Sequence, residues 1–155
     1  MKAITILEPW ASLIACGAKQ IETRNWSTKY RGRIAIHAGK ETKRAFYSLP
    51  IITALGVSCV SEHWLNIRLG SVIAITNLVD CLQVRGTSSL KICNEQRVAA
   101  ILENNMRVMG NELEFGDYTH GRYAWILANV RRIEPVPAKG RQRLWEWEAP
   151  SGDHC

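Results

Sequence analysis

Residues 9–24 read Pro-Trp-Ala-Ser-Leu-Ile-Ala-Cys-Gly-Ala-Lys-Gln-Ile-Glu-Thr-Arg, and they predict a short helix followed by a turn and a strand. Pro9 suits the first position of a helix, and Gly17 suits the left-handed residue that ends one. The apolar residues between them recur at helical spacing. In the strand that follows, period-two alternation places Glu22 and Arg24 on the same face. We therefore expect a carboxylate and a guanidinium to lie side by side.

The rest of the chain predicts an α+β domain. Further strands are expected at about residues 2–7, 33–38, 71–80 and 122–130, and a helix at 95–109. In the strand at 33–38, Ile34 and Ile36 should point inward, and Arg33 and His37 outward. Short strands, few long helices and no repeated β-α-β pattern favour a closed or nearly closed mixed β-barrel with short flanking helices.

Composition places the chain among small globular proteins. Its 155 residues, 46% of them hydrophobic, predict one domain over residues 1–150 and a loose tail at 151–155. We expect a cytoplasmic protein, because the sequence shows no signal peptide and no apolar run of the roughly 20 residues that span a membrane. The five cysteines form no Cys-x-x-Cys pair and the four histidines share no ligand spacing. No metal or cofactor is therefore predicted.

The net charge of +6 is concentrated in two segments. Residues 19–44 hold eight Lys or Arg and residues 131–143 hold five, which together make thirteen of the twenty basic residues. Such a surface attracts phosphates, and Trp26, Tyr30 and Trp145 lie close enough in sequence to offer stacking surfaces for unpaired bases. The alternative is that these residues have no role in binding nucleic acid, because solvent-exposed Lys and Arg side chains and buried tryptophans occur in most domains.

Residues Lys19 and Glu22 are the candidate catalytic pair. A lysine partly removed from water beside a carboxylate can act as a base, although a plain ion pair would have the same sequence. Arg24 could clamp a phosphate or a base edge through its two parallel donors. Trp10 is expected to be half core and half pocket wall. The chain lacks the motifs of dinucleotide-binding, P-loop, zinc-protease and serine-hydrolase proteins.

Several motifs together resemble the ASCH domain family, whose relatives are the RNA-binding PUA domains. They are Pro9-Trp10-Ala11, Gly17-x-Lys19-x-x-Glu22-x-Arg24-x-Trp26, Tyr30-Arg31-Gly32, Leu78-Val79-Asp80-Cys81, Tyr123-Ala124-Trp125 and Gly140-Arg141-Gln142-x-Leu144-Trp145. The resemblance covers nearly the whole chain. It implies a PUA-like mixed β-barrel and a cleft beside the Gly-x-Lys-x-x-Glu-x-Arg turn that holds RNA or a nucleoside-like ligand.

The resemblance also implies two possible chemistries. One branch of the family hydrolyses the amide of acetylated cytidine with a lysine matched by Lys19, a threonine at the position of Glu22, and a glutamate from a later helix. Thr23 is one residue away from the threonine position, and the candidates for the glutamate are Glu95, Glu103, Glu112 and Glu114. Other members are linked to RNA cleavage, which a Lys-Glu pair with Arg24 or Arg31 could support.

These observations lead to one main hypothesis and two alternatives. The main hypothesis is that a basic cleft binds RNA or a modified nucleoside. The predicted ligand-binding residues are Trp10, Arg24, Trp26, Arg31 and Arg33, and the predicted catalytic residues are Lys19 and Glu22. The alternatives are a hydrolase of an acylated nucleoside amide or an RNA phosphodiester with Lys19 as base, and a protein-interaction module. No membrane partner is expected, and neither the oligomeric state nor the role of segments 41–66 and 86–120 can be assigned.

Overall fold

The computed structural model describes residues 1–42, 49–55, 69–93 and 95–150. The strands are β1 (Lys2–Glu8), β2 (Ile21–Arg24), β3 (Gly32–Thr42), β4 (Ser71–Ile92), β5 (Glu95–Leu102), β6 (Arg107–Val108), β7 (Tyr123–Pro137) and β8 (Leu144–Glu146). The helices are α1 (Trp10–Ala15), α2 (Leu49–Leu55) and α3 (Gly110–Glu114). The predicted loose tail at 151–155 and much of the segment 41–66 lie outside the described residues.

The fold is α+β and dominated by one sheet. Its strands pair in the order β2-β7-β4-β3-β1-β8, and β4 also pairs with β5, which pairs with β6. The β1–β3 pair is parallel, whereas β1 and β8 are antiparallel. Strand β4 is long enough to pair with β7 along one part and with β5 along another, so it connects the main sheet to the ribbon formed by β5 and β6.

The expected closed barrel is not confirmed, because the order of paired strands is open. Strands β2 and β8 lie at its two ends, so no ladder joins β2 to β1 among the described residues. A side chain bridges this gap instead: Nη2 of Arg24 donates to the carbonyl oxygen of Thr5 at 2.8 Å. We call the gap the β1–β2 seam. It is where the candidate site lies.

Helix α1 follows the predicted pattern closely. It begins at Trp10, directly after Pro9, and Gly17 beyond its end has a φ of +82°, the left-handed conformation expected there. Ile14 packs in the same buried cluster as Ile34 and Ile36 of β3. The helix therefore holds the turn that leads into β2 against the core of the sheet.

The predicted helix at 95–109 is wrong. Residues 95–102 form β5 and residues 107–108 form β6. Val98 is 50% exposed and lies opposite Ser89 of β4. Pairing with the far end of β4 satisfies the backbone of this segment, and it overrides the local helical pattern.

The prediction that His37 faces outward is also wrong, because its side chain is only 2% exposed. The chain segment after β7 covers it: Nε2 of His37 lies 3.0 Å from the carbonyl oxygen of Ala138, and the ring stacks edge-on against Trp145 at a centroid distance of 5.7 Å. Burial lowers the pKa of His37, so the imidazole is held in its neutral form. The alternation within β3 could not reveal a cover that comes from residues 138–145.

Glu8→Gln is expected to stabilise the protein at neutral pH, with a gain that shrinks in acid. The Glu8 carboxyl is fully buried and accepts hydrogen bonds from the hydroxyl and backbone N–H of Ser12 at 2.8 and 3.1 Å. Burial nevertheless raises its pKa. The stability that the buried neutral carboxyl of Glu8 contributes is complete at pH values below the pKa of Glu8 in the unfolded chain. It is lost as pH rises through the higher pKa of Glu8 in the folded protein, and the loss is about 1.4 kcal/mol for each pKa unit between the two states. Urea denaturation of both proteins from pH 4 to pH 8 measures the difference, and a pH-independent difference would contradict the prediction.

Candidate functional site

Strand β2 brings Glu22 and Arg24 together at the β1–β2 seam. Oε1 of Glu22 lies 3.1 Å from Nε of Arg24, which is the same-face arrangement that alternation predicted. Both residues are held on the opposite side by β7, because Glu22 pairs with Trp125 and Arg24 with Tyr123. The guanidinium therefore has a carboxylate on one side and the Thr5 carbonyl of β1 on the other.

Lys19 joins this group from behind rather than from the cavity. Its side chain is 1% exposed, and its ammonium donates to the carbonyl oxygen of Ile21. The same nitrogen lies 3.7 Å from Oε2 of Glu22 and 4.0 Å from Oε1 of Glu112. Lys19 is not among the residues that line the cavity described below. Its position is that of a buried counter-ion between two carboxylates.

Glu112, on α3, is the carboxylate that the sequence could not single out among four. Its oxygens accept hydrogen bonds from the backbone N–H groups of Gln20 and Ile21 at 2.9 and 3.0 Å. It thus fixes the turn before β2 and contributes a second negative charge near Lys19. No sequence motif signals this contact, since the partners are more than ninety residues apart.

Tyr118 completes the buried polar group behind the seam. Burial raises the pKa of its phenol, and the carboxylates of Glu112 and Glu22 raise it further, so the hydroxyl keeps its proton at any ordinary pH. That hydroxyl has no hydrogen-bond partner among the residues described. No sequence motif signals this residue either.

A cavity of about 370 Å³ opens at the β1–β2 seam, and we call it the seam cavity. It is lined by residues 5–7 and 22–24, by residues 114–117 at the end of α3, and by Trp10 and Arg122. Its charged groups are the carboxylates of Glu22, Glu114 and Asp117 and the guanidinium groups of Arg24 and Arg122. Trp10 forms part of the wall of the seam cavity, and both negatively and positively charged side chains line the same cavity.

A second hollow of about 410 Å³ continues from the seam cavity, and we call it the arginine groove. It shares Thr5, Leu7 and Arg24 with the seam cavity. Its other lining residues are Asn25, Trp26, Arg141, Gln142 and Arg143. The guanidinium of Arg143 lies 5.3 Å from the centroid of the Trp26 ring, a cation–π distance. None of the described residues that line this groove is a carboxylate, so the charge that they contribute is positive.

The remaining predicted ligand-binding residues are elsewhere. Arg31 pairs with Asp80 at 2.9 Å and Arg33 is exposed, and neither lines the seam cavity or the arginine groove. The arginines that line the arginine groove together with Arg24 are Arg141 and Arg143. Their signal was present in the basic segment 131–143, but nothing in the sequence placed that segment beside β2.

The described part of the chain has neither a metal-binding cluster nor a helix that could cross a membrane. Residues 1–42, 49–55, 69–93 and 95–150 contain no group of three or more His, Cys, Asp or Glu side chains arranged to hold a metal ion. Over the same ranges, none of the helices has both the length and the apolar character needed to cross a membrane.

Comparisons with known proteins identify the family. The human protein "Activating signal cointegrator 1" is 32% identical over 81 residues, which is 51% of this chain but only 14% of that protein. The crystal structure of a ZmASCH mutant protein from Zymomonas mobilis aligns with a TM-score of 0.48 at 16% identity, covering 95% of this chain and 89% of that one. A family model of the ASCH domain matches residues 4–137. The chain therefore belongs to the ASCH domain family.

Proposed function

We propose that this ASCH domain binds single-stranded RNA, or a modified nucleoside within it, along the β1–β2 seam. An unpaired base occupies the seam cavity, and the adjoining phosphates lie in the arginine groove. The observation that supports the proposal is that the two hollows adjoin, since Thr5, Leu7 and Arg24 line both of them. One strand of nucleic acid can occupy both at once.

The dimensions and the wall of the seam cavity support this proposal. Its volume of about 370 Å³ lies at the lower end of the range of small-molecule sites, which suits one nucleoside. Trp10 offers an aromatic surface, and the charged groups around it offer hydrogen bonds at the edge of a base. Such a combination of stacking and edge recognition is typical of proteins that read unpaired bases.

The charge of the arginine groove supports the placement of phosphates. Arg141 and Arg143 are exposed, and neither makes an ion pair with a carboxylate among the described residues. Arg143 also lies over Trp26, so a base stacked there would have a cation beside it. Guanidinium groups suit phosphate oxygens because they present parallel donors.

Replacing Arg141 and Arg143 together by glutamine is expected to weaken RNA binding about tenfold or more, since two phosphate contacts are lost. The dependence of log affinity on log salt should flatten by about 0.7 for each contact. Fluorescence anisotropy with a short unstructured RNA at several salt concentrations measures both quantities. Arg97→Gln is the matched control, because Arg97 is exposed, pairs with Glu95, and lies on β5 outside both hollows. An affinity that does not depend on salt, or an unchanged affinity in the double variant, would contradict the proposal.

A hydrolase remains a second candidate because of one contact. Glu22 lies at the wall of the seam cavity and has the Lys19 ammonium 3.7 Å behind it, so a water in the cavity could be polarised by a carboxylate whose charge is held in place. Incubation with acetylated cytidine and with short RNAs would detect products. Glu22→Gln should abolish any turnover, and turnover that survives this change would remove the role of Glu22.

A further inference from the structure

We propose that the seam cavity selects a base with an exocyclic amino group, so that the preferred ligand is a cytidine, adenosine or guanosine nucleotide rather than a uridine nucleotide. This inference rests on the proposed function and names the ligand class of the same site. Its basis is the hydrogen-bonding capacity that the cavity leaves unused.

The first step concerns Arg24, whose guanidinium is held by β1 and by Glu22, although its Nε makes no hydrogen bond among the described residues. Its Nη2 donates to the carbonyl oxygen of Thr5 at 2.8 Å, and its Nε lies 3.1 Å from the Glu22 carboxylate. The guanidinium is thereby held at the boundary between the seam cavity and the arginine groove. Its other terminal nitrogen, which has no such partner, can serve a ligand at that boundary.

The second step concerns Arg122, the other cation of the seam cavity. Its Nε donates to the carbonyl oxygen of Asp117 at 3.1 Å and lies 3.3 Å from the carboxylate of the same residue. Its Nη2 donates to the carbonyl oxygen of Thr23 at 3.5 Å. Both cations of the cavity are therefore engaged by protein acceptors.

The third step concerns the acceptors, which are less occupied. Glu114 lines the cavity and has no ion-pair or hydrogen-bond partner in the part of the chain that the structure describes. The nearest cation to Oε2 of Glu22 is Lys19 at 3.7 Å, which is longer than a hydrogen bond. Each carboxylate oxygen has two lone pairs, so these groups can still accept from a ligand. The cavity therefore offers carboxylate acceptors at Glu22 and Glu114 beside the free terminal nitrogen of Arg24.

A base that fits this cavity must bring N–H groups to it. Cytosine, adenine and guanine each carry an amino group with two N–H donors, whereas uracil has two carbonyl oxygens flanking its single N–H. Uracil would place a carbonyl oxygen against a carboxylate, and the repulsion between these two acceptors weakens binding. The phosphate of the same nucleotide then faces Arg141 and Arg143, since the negative and positive ends of the ligand match the two hollows.

Titration with matched nucleotides tests the inference. Guanosine and inosine 5′-monophosphate differ in one amino group, and so do the 5′-monophosphates of adenosine and purine riboside. We expect the amino-bearing member of at least one pair to bind about fivefold or more tightly, as measured by calorimetry or by NMR shifts of the Trp10 indole. Cytidine should exceed uridine 5′-monophosphate by a similar factor.

Variants distinguish the contribution of the seam cavity to base preference from the contribution of the arginine groove to overall affinity. Glu114→Gln, an exposed and conservative change, and Glu22→Gln should each reduce the affinity ratio within a pair, whereas the Arg141 and Arg143 double variant should weaken both members equally and leave the ratio unchanged. Glu148→Gln is the control outside both hollows. Equal affinity within all pairs, or a preference for uridine, would overturn the inference while leaving RNA binding intact. Failure of every nucleotide and of RNA to bind would overturn the proposed function as well.

Discussion

Lys19→Met is expected to destabilise the fold by about 1–3 kcal/mol, because it removes the buried cation between two carboxylates and leaves Glu22 only its Arg24 partner and Glu112 only its backbone hydrogen bonds. The ammonium lies within 4.0 Å of both Glu22 and Glu112 and is almost completely removed from water. Methionine fills much of the same space but leaves two carboxylates facing an apolar group. Urea denaturation followed by circular dichroism measures the loss.

Two companion variants show whether charge is the cause. In a protein that carries Glu22→Gln, the same Lys19→Met change should cost less, because one of the two carboxylates beside the ammonium no longer carries a charge. Lys29→Met, at an exposed lysine, should change the free energy of unfolding by no more than about 0.5 kcal/mol. A loss below about 1 kcal/mol for Lys19→Met would mean that the ammonium does not stabilise this cluster.

The buried position of Lys19 determines how an activity assay of its variants should be interpreted. Lys19 was a candidate base on the basis of its spacing to Glu22, and the structure brings the two together but places the lysine behind the glutamate. Loss of activity in a Lys19 variant could therefore reflect a disturbed β2 rather than a lost proton acceptor. Glu22→Gln and Glu114→Gln, which alter groups at the cavity wall, are more direct tests of the chemistry.

Local pattern predicted the elements nearest the site, and long-range contacts supplied what it missed. Helix α1, the stop at Gly17 and the shared face of Glu22 and Arg24 all follow from the spacing of neighbouring residues. The approach of Glu112 to the turn before β2 depends on the path of the chain over some ninety residues. Periodicity carries no information on such a path, so that carboxylate could be named only as one of several.

The arginine groove shows the same limit. Charge counting found the segment 131–143, and the family motif contained Gly140-Arg141-Gln142, yet neither indicated that these residues would lie beside Arg24 and Trp26. The open seam between β1 and β2 is what makes that approach possible. The family resemblance implies a cleft beside the turn before β2, but it does not indicate that residues 141–143 line a hollow next to it.

Gly140→Ala is expected to displace the loop that carries Arg141 and Arg143, to lower stability by about 1–3 kcal/mol, as overpacking does, and to weaken RNA binding about tenfold. A Cβ at this position would lie 2.5 Å from Cε1 and 2.8 Å from Nδ1 of His37, and 2.9 Å from Oγ1 of Thr5. His37 is buried and bonded to Ala138, and Thr5 donates to the carbonyl oxygen of Arg141 at 3.0 Å. The neighbours cannot retreat without loss of the contacts that hold the loop.

A double-mutant cycle with His37→Ala identifies the collision as the cause. Removal of the imidazole frees the space that the new methyl group needs, so Gly140→Ala should cost clearly less stability in the His37→Ala background than in the parent. Chemical denaturation of the four proteins gives the coupling, and anisotropy on the same four gives the change in RNA affinity. Equal costs in the two backgrounds would show that the imidazole is not what forces glycine at position 140. If the coupling is found in stability but not in affinity, the loop tolerates displacement and the arginine groove is not where the phosphates bind.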